Sequence, residues 1–506
     1  MSTPEASLQP NLWSKDKAND MPVGRLIGFE TKEAADGRAV VTLAAGSQHA
    51  NPMSTLHGEA PIPSSIRRRF VNMAAPICAS LFLCGIGGCR RSPMQPVTVT
   101  VLDPEWSQPD ELPAAQQESE AFTREKGILV KHLPVPETSL SQLGLWRKLL
   151  KEGGPTPDVL AIDVVWPGIL DEYLIDLKPY AAEELSSEDP ELVASYTAGG
   201  KVVALPYHTQ IGVLAYRVDL LREYGYQHPP TTWDELENMA ARIQAGERAK
   251  GKKDFWGYLW QGAAAEGLTC NALEWQVAEG GGRVIENDKT ISVNNPAAIR
   301  AWQRAAHWVG WITPPGVVAY RELDSMNVWN SGGAAFRRSW QSDFRLSHWQ
   351  NSSLGAVTGY TSVPGGPAGR ASTLGGTGLG VSRSSAHPRE AIAYIRSLVH
   401  RDIQSRQERA HSEPPAQPEL YDLPLDLQPY ALPAASGQTR GGLVARPSVV
   451  SGQAYEEVTK AFMTAVHSVL TGEKKAPEAA AILEKRLVEI TGFKTGPPST
   501  GGAGGK

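Results

Sequence analysis

The chain has 506 residues, with 49 Lys and Arg against 54 Asp and Glu and a formal net charge of -5. The length accommodates two or three domains, and the mild acidity excludes a general nucleic-acid binder, whose surface would be basic. Of the four Cys, Cys78, Cys84 and Cys89 share one short segment and Cys270 stands alone in the body, which excludes an intradomain disulfide framework and a zinc-type spacing; no metal or cofactor is expected.

In chain order, residues 13–58 alternate like two strands joined at Asp36 and Gly37. Residues 65–89 (SIRRRFVNMAAPICASLFLCGIGGC) place Arg67, Arg68 and Arg69 before an apolar run at 71–86, too short for a comfortable membrane span. Residues 96–102 (PVTVTVL) read as a β-strand rich in β-branched residues. A helix is expected over 114–125 and a strand over 127–135. Residues 157–163 (PDVLAID) form a third strand, apolar on both faces as in a buried parallel sheet. Strands alternating with helices indicate an α/β fold with crossovers. Ligands in such sheets sit beyond the strand carboxyl ends, where residues 103–106 and 163–166 fall. Thr232 caps a helix with an acidic first turn. Further helices are expected over 389–400, 454–470 and 477–490. Residues 495–506 are rich in Gly, Pro, Ser and Thr and read as a disordered tail.

The run from Arg67 through Ile86, Gly87, Gly88 and Cys89 resembles a bacterial lipoprotein signal, in which small residues precede a lipidated Cys; Arg67, Arg68, Arg69 and Phe70 also loosely resemble a twin-arginine signal. The preceding segment, with His49, Asn51, Pro52, Leu56, His57 and Gly58, resembles the start of a PaaI-type hotdog thioesterase without that fold's central helix and remaining strands. It reads as a fusion remnant or a wrongly chosen start.

From about residue 96 to 494 the chain resembles the family 1 extracellular solute-binding proteins of ABC importers, in particular their trehalose/maltose-binding branch. The resemblance rests on several runs in order: 157–166, 204–225 (ALPYHTQIGVLAYRVDLLREYG), 229–236, 255–262 (FWGYLWQG), 266–270, 332–340 (GGAAFRRSW), 372–376 (STLGG), and Arg446-Pro447 followed by Tyr455, Glu456 and Glu457. Gln210 stands where relatives often carry Asp, and Thr377 where an aromatic is common. Both changes remove expected sugar contacts.

The resemblance implies a periplasmic-binding-protein-like type II fold, with two α/β lobes, a hinge and a ligand cleft between them. The implied division is an extra segment at 1–64, a signal peptide at 65–89, an N-terminal lobe at 96–208 plus 376–425, a C-terminal lobe at 209–375 plus 426–494, and the tail at 495–506. The implied function is capture of a disaccharide or short oligosaccharide and delivery to the permease and its cytoplasmic ATPase, by a monomer exported and anchored to the membrane through Cys89. Implied ligand-binding residues are Glu105, Asp163, Trp166, Tyr207, Gln210, Tyr258, Trp260, Trp340, Gly376, Arg446 and Tyr455. Carboxylates, amides and Arg forks read hydroxyls, and aromatic faces cover a sugar ring. The 14 Trp against 9 Phe suit that chemistry as well as core filling. No catalytic residue is expected. The competing readings are a carbohydrate-active hydrolase with Glu105 and Asp163 as its two carboxylates, and a thioesterase remnant at the N-terminus.

Overall fold

The computed structural model describes residues 29–35, 38–43, 96–104, 112–136, 139–152, 157–343, 354–399 and 442–499. The chain divides into two compact units, residues 1–92 and 93–506. In the first, β1 (Phe29–Ala35) pairs antiparallel with β2 (Arg38–Leu43), with an irregular register between Thr31 and Glu33. This is the hairpin expected around Asp36 and Gly37. The expected signal segment lies outside the described residues.

The second unit is built on a nine-stranded mixed sheet. In its first half, β3 (Thr98–Leu102) lies parallel to both β4 (Leu129–His132) and β5 (Val159–Asp163). Val159 and Ala161 enter one core and Leu160 and Ile162 another, so β5 is buried on both faces. That is why its sequence is apolar without alternation. Helices α1 (Leu112–Lys126) and α7 (Pro388–Val399) cover the first face through Phe122, Tyr394 and Ile395. Helix α2 (Ser139–Glu152) covers the second through Leu143, Trp146 and Leu150.

The second half surrounds a larger core. Helices α3 (Trp233–Ala249), α4 (Glu266–Ala278), α5 (Pro296–Trp308), α8 (Tyr455–Leu470) and α9 (Ala476–Thr491) all contribute to it. Helix α6 (Glu322–Asn330) packs on the opposite sheet face through Trp329. The expected cap forms: Thr232 Oγ1 accepts the Glu235 N–H at 3.2 Å. Within the core, the rings of Trp233, Tyr258 and Trp275 each meet that of Trp308, with centroids 5.5–5.7 Å apart. Such pairs contribute about 0.5–1.5 kcal/mol each beyond area burial.

Two long strands join the halves. Strand β8 (Leu205–Arg217) follows the small hairpin β6 (Thr197–Ala198) and β7 (Lys201–Val202). Its first part pairs with β12 (Ala371–Val381), and its second part with β10 (Ala334–Trp340) and β11 (Thr358–Ser362), all antiparallel. Strand β9 (Trp256–Leu259) lies parallel to β10. Strand β12 in turn pairs with β13 (Gly442–Val444) at its start and with β5 at its end. The parallel sheet expected from the sequence is thus confined to each half, and the crossing strands make the whole sheet mixed. The tail also departs from expectation at its beginning: Ile291 accepts the Gly496 N–H at 3.0 Å and donates to Lys494 O at 2.9 Å, which pins the chain there.

Candidate ligand-binding site

Four consecutive residues of β12, Leu374 to Thr377, lie where that strand crosses between the halves, and several of the expected side chains gather on them. Leu374 O accepts from Arg446 Nη2 at 3.4 Å. Gly375 lies against Trp340 and Gln210, which a Cβ there would approach to 3.1 and 3.3 Å. Gly376 O accepts the Val164 N–H at 3.0 Å, and Thr377 is the register partner of Asp163. Gly376 has φ +121°, and a Cβ would stand 2.1 Å from His208 O. Only glycine fits such a conformation with that approach, so Gly376 lets β12 pass this close to β8.

Asp163 ends β5, at the strand end where ligands collect. Its Oδ1 accepts the Val165 N–H at 3.1 Å. Burial pushes this carboxyl above the usual carboxylate range, the Arg446 guanidinium pulls it back, and Glu266 adds repulsion.

The organising carboxylate of the facing wall is Glu266, at the first turn of α4, where the helix dipole favours negative charge. It accepts from Arg446 Nη1 at 2.9 Å, Thr459 Oγ1 at 2.8 Å and the Tyr455 hydroxyl. Burial and then Glu266 push the Tyr455 hydroxyl well above its ordinary range, so it stays a donor. Arg446 is therefore held by protein partners from two elements, and its fork is oriented before any ligand arrives. Sequence reasoning passed over Glu266. The available signal was an acidic residue opening a helix just beyond a strand's carboxyl end.

Trp340 closes β10 and is half-buried. The Arg338 guanidinium carbon lies over its ring, 3.9 Å from the centroid. Gln210 Oε1 accepts the Ser342 N–H at 3.1 Å, which fastens β8 to the turn after Trp340. Together these groups offer an aromatic surface beside acceptors and fixed donors, a set suited to noncovalent capture of a polar, ring-bearing ligand. Cys270 is no nucleophile: burial pushes its thiol up to about 12.

The structure places other expected contacts elsewhere. Tyr207 sits at a register irregularity of β8 against β12 and is buried in the core of the first half. Tyr258 and Trp260 are fully buried in the core of the second half, Trp260 edge-on to Trp275 at 5.0 Å. Trp166 is buried against Trp146, with centroids 6.2 Å apart. Trp146, Trp233, Trp302, Trp308 and Trp329 are core residues too, so the Trp excess is chiefly packing. Glu105 and Cys89 lie outside the described residues. Asp163, Gln210, Trp340, Gly376, Arg446 and Tyr455 are the expected residues brought together.

Among the described residues no helix is long and apolar enough to cross a membrane. The family model described as bacterial extracellular solute-binding protein matches residues 106–402. A Deinococcus radiodurans protein named "Probable ABC transporter-binding protein" is 39% identical over 376 residues, covering 74% of this chain and 89% of the relative. The maltose-bound MalE3 of T. maritima superposes with TM-score 0.65 at 30% identity, covering 78% of this chain and 100% of that one. The GacH receptor of Streptomyces glaucescens, solved unliganded and with acarbose and an acarbose homolog, gives 0.64 at 22%, covering 79% and 99%. The expected type II binding-protein fold is therefore present. The chain belongs to the bacterial extracellular solute-binding protein family, and as such it is a binding protein and not an enzyme.

Proposed function

We propose that this chain captures a sugar between its two halves, a disaccharide or short oligosaccharide of the maltose or trehalose kind, and delivers it to the permease of an ABC importer. The observation that carries this reading is the convergence of Asp163, Trp340, Gln210 and the Glu266–Arg446–Tyr455 cluster on residues 374–377 of one strand. Maltose in the T. maritima relative supports the ligand class, and the name of the D. radiodurans relative supports the importer. The lobes are taken as 96–208 plus 376–425 and 209–375 plus 426–494, which agrees with β8 and β12 exchanging sheet partners near Ile211 and Leu374. The mature protein is taken to be a monomer held at the membrane by a lipidated Cys89.

A thermal-shift screen of the purified protein against maltose, trehalose, maltotriose and unrelated amino acids tests the ligand class. A binder at a hundredfold excess over its Kd stabilises the folded state by about 2.7 kcal/mol. Selective stabilisation by one of the sugars is expected. Stabilisation by an amino acid and by no sugar would overturn the reading.

A further inference from the structure

By the two-residue period of a strand, Phe336, Arg338 and Trp340 share one face of β10. Arg338 is fully buried, and a buried guanidinium needs a partner. Glu274 of α4, also fully buried, supplies one through two bonds, Nη2 to Oε1 at 2.7 Å and Nε to Oε2 at 3.2 Å. The same Oε1 accepts the backbone N–H of Thr373 in β12 at 3.0 Å. Strand β8 passes directly across the pair: a Cβ on Gly212 would stand 2.0 Å from Glu274 Oε1 and 2.6 Å from Arg338 Nη2. The charges thus sit where β10 and the two joining strands, β8 and β12, come together, and the guanidinium ends over the ring of Trp340. Replacing a buried ion pair with apolar groups is often neutral for stability, so stability alone gives little reason for this placement.

We propose that Glu274 and Arg338 are positioning residues for the ligand. Arg338 holds the Trp340 indole as a fixed platform. Glu274 ties that platform to β12 through Thr373, and Gly375 two residues on lies against Trp340 and Gln210, so stacking on Trp340 is coupled to the strand that joins the halves. The proposal rests on the sugar-binding reading above.

The test is a mutant cycle on the full chain, with maltose as probe and titration calorimetry as readout. The pair Arg338→Met/Glu274→Gln removes both charges together and leaves neither buried alone. It should weaken maltose binding about tenfold, the scale of a desolvated cation–π contact and of lost preorganisation. In a Trp340→Ala background the same pair should cost nothing further. An unchanged affinity, or an equal loss in both backgrounds, would overturn the proposal. Should the double variant not fold, Arg338→Lys keeps the charge beside Glu274 and removes only the planar group over the indole. It should weaken binding in the Trp340 background alone, and wild-type behaviour would count against the proposal. A ligand-free measurement separates the two readings. The near-UV circular dichroism of Trp340, taken as wild type minus Trp340→Phe, should collapse in the Arg338 variants. If an amino acid and none of the screened sugars binds wild type, the sugar reading fails while this spectrum still decides the positioning role.

Discussion

Glu188 is a buried carboxyl outside the proposed site. It is 7% exposed, and neither of its oxygens has a hydrogen-bond partner among the described residues. Burial, aided by the neighbouring Asp189, pushes it from an ordinary 4.5 up to about 8. The folded state therefore keeps a proton that the unfolded chain gives up. This contribution to stability is whole below about pH 4.5, is lost as pH rises toward 8, and falls no further above it. Glu188→Gln removes the loss. Its melting temperature should exceed wild type at pH 8.5 by the equivalent of a few kcal/mol, roughly, and match it at pH 4. Parallel melting curves across that range would refute the assignment. None of this is legible in the sequence, where Glu188 sits among Ser186, Ser187 and Asp189 and reads as a solvated loop. The same limit applies to the cleft. Asp163 and Trp340 were legible because each ends a recognisable strand. Glu266 and Glu274 were not, because helix α4 is almost entirely buried and so lacks a polar face to mark which carboxylates point inward.

At the scale of an element, β9 decides between a cleft wall and a core strand. Tyr258 is fully buried, edge-on to Trp308 with centroids 5.7 Å apart, and its hydroxyl finds no well-formed hydrogen bond among the described residues. An unpaired buried hydroxyl costs about 1–3 kcal/mol. Tyr258→Phe should therefore leave stability unchanged or raise it, and leave sugar affinity as it was. A clear loss of affinity by calorimetry with an intact melting curve would restore Tyr258 to the site. The aromatic run around Tyr258 suits either role, since stacking on a sugar and packing in a core select the same side chains. The crossing strands were legible only as resembling segments. In β8 the middle residues His208, Thr209 and Gln210 are polar, and β12 carries Gly375, Gly376, Gly378 and Gly380, so both lack the β-branched alternation that reveals a strand. Those departures fall where the strands leave one half for the other and approach closely. β3, β5 and the capped helix α3 lie within the halves, obey local rules, and were found.

Over the whole molecule, the segment around 446–456 reaches from the second half across to the first. Ser448 Oγ donates to Val164 O at 3.4 Å, Gln453 Nε2 to Ile169 O at 2.7 Å, and Arg147 pairs with Glu456 at 2.6 Å. Arg283 meets Glu191 at 2.8 Å. Both ion pairs are a fifth to two-fifths exposed, and such pairs contribute about 0–1 kcal/mol. Charge is thus a weak clasp, and close packing is the stronger one. It centres on Gly168, where a Cβ would stand 2.8 Å from Ser448 O and 3.0 Å from Gly452 Cα. Those neighbours are backbone and cannot swing aside, so Gly168→Ala must move the segments apart. Overpacking of this kind costs about 1–3 kcal/mol, and a hinge opening that parted these segments would relieve it, so the cost is expected to fall on the ligand-closed arrangement. Sugar affinity should fall by about five- to a hundredfold, with a melting temperature close to wild type in the absence of sugar. Small-angle scattering should show a larger radius of gyration at a sugar concentration that closes the wild type. Arg147→Met should do little by comparison. Equal affinity of Gly168→Ala and wild type would mean that these segments separate without consequence for the cleft, and that closure is governed at the hinge strands alone.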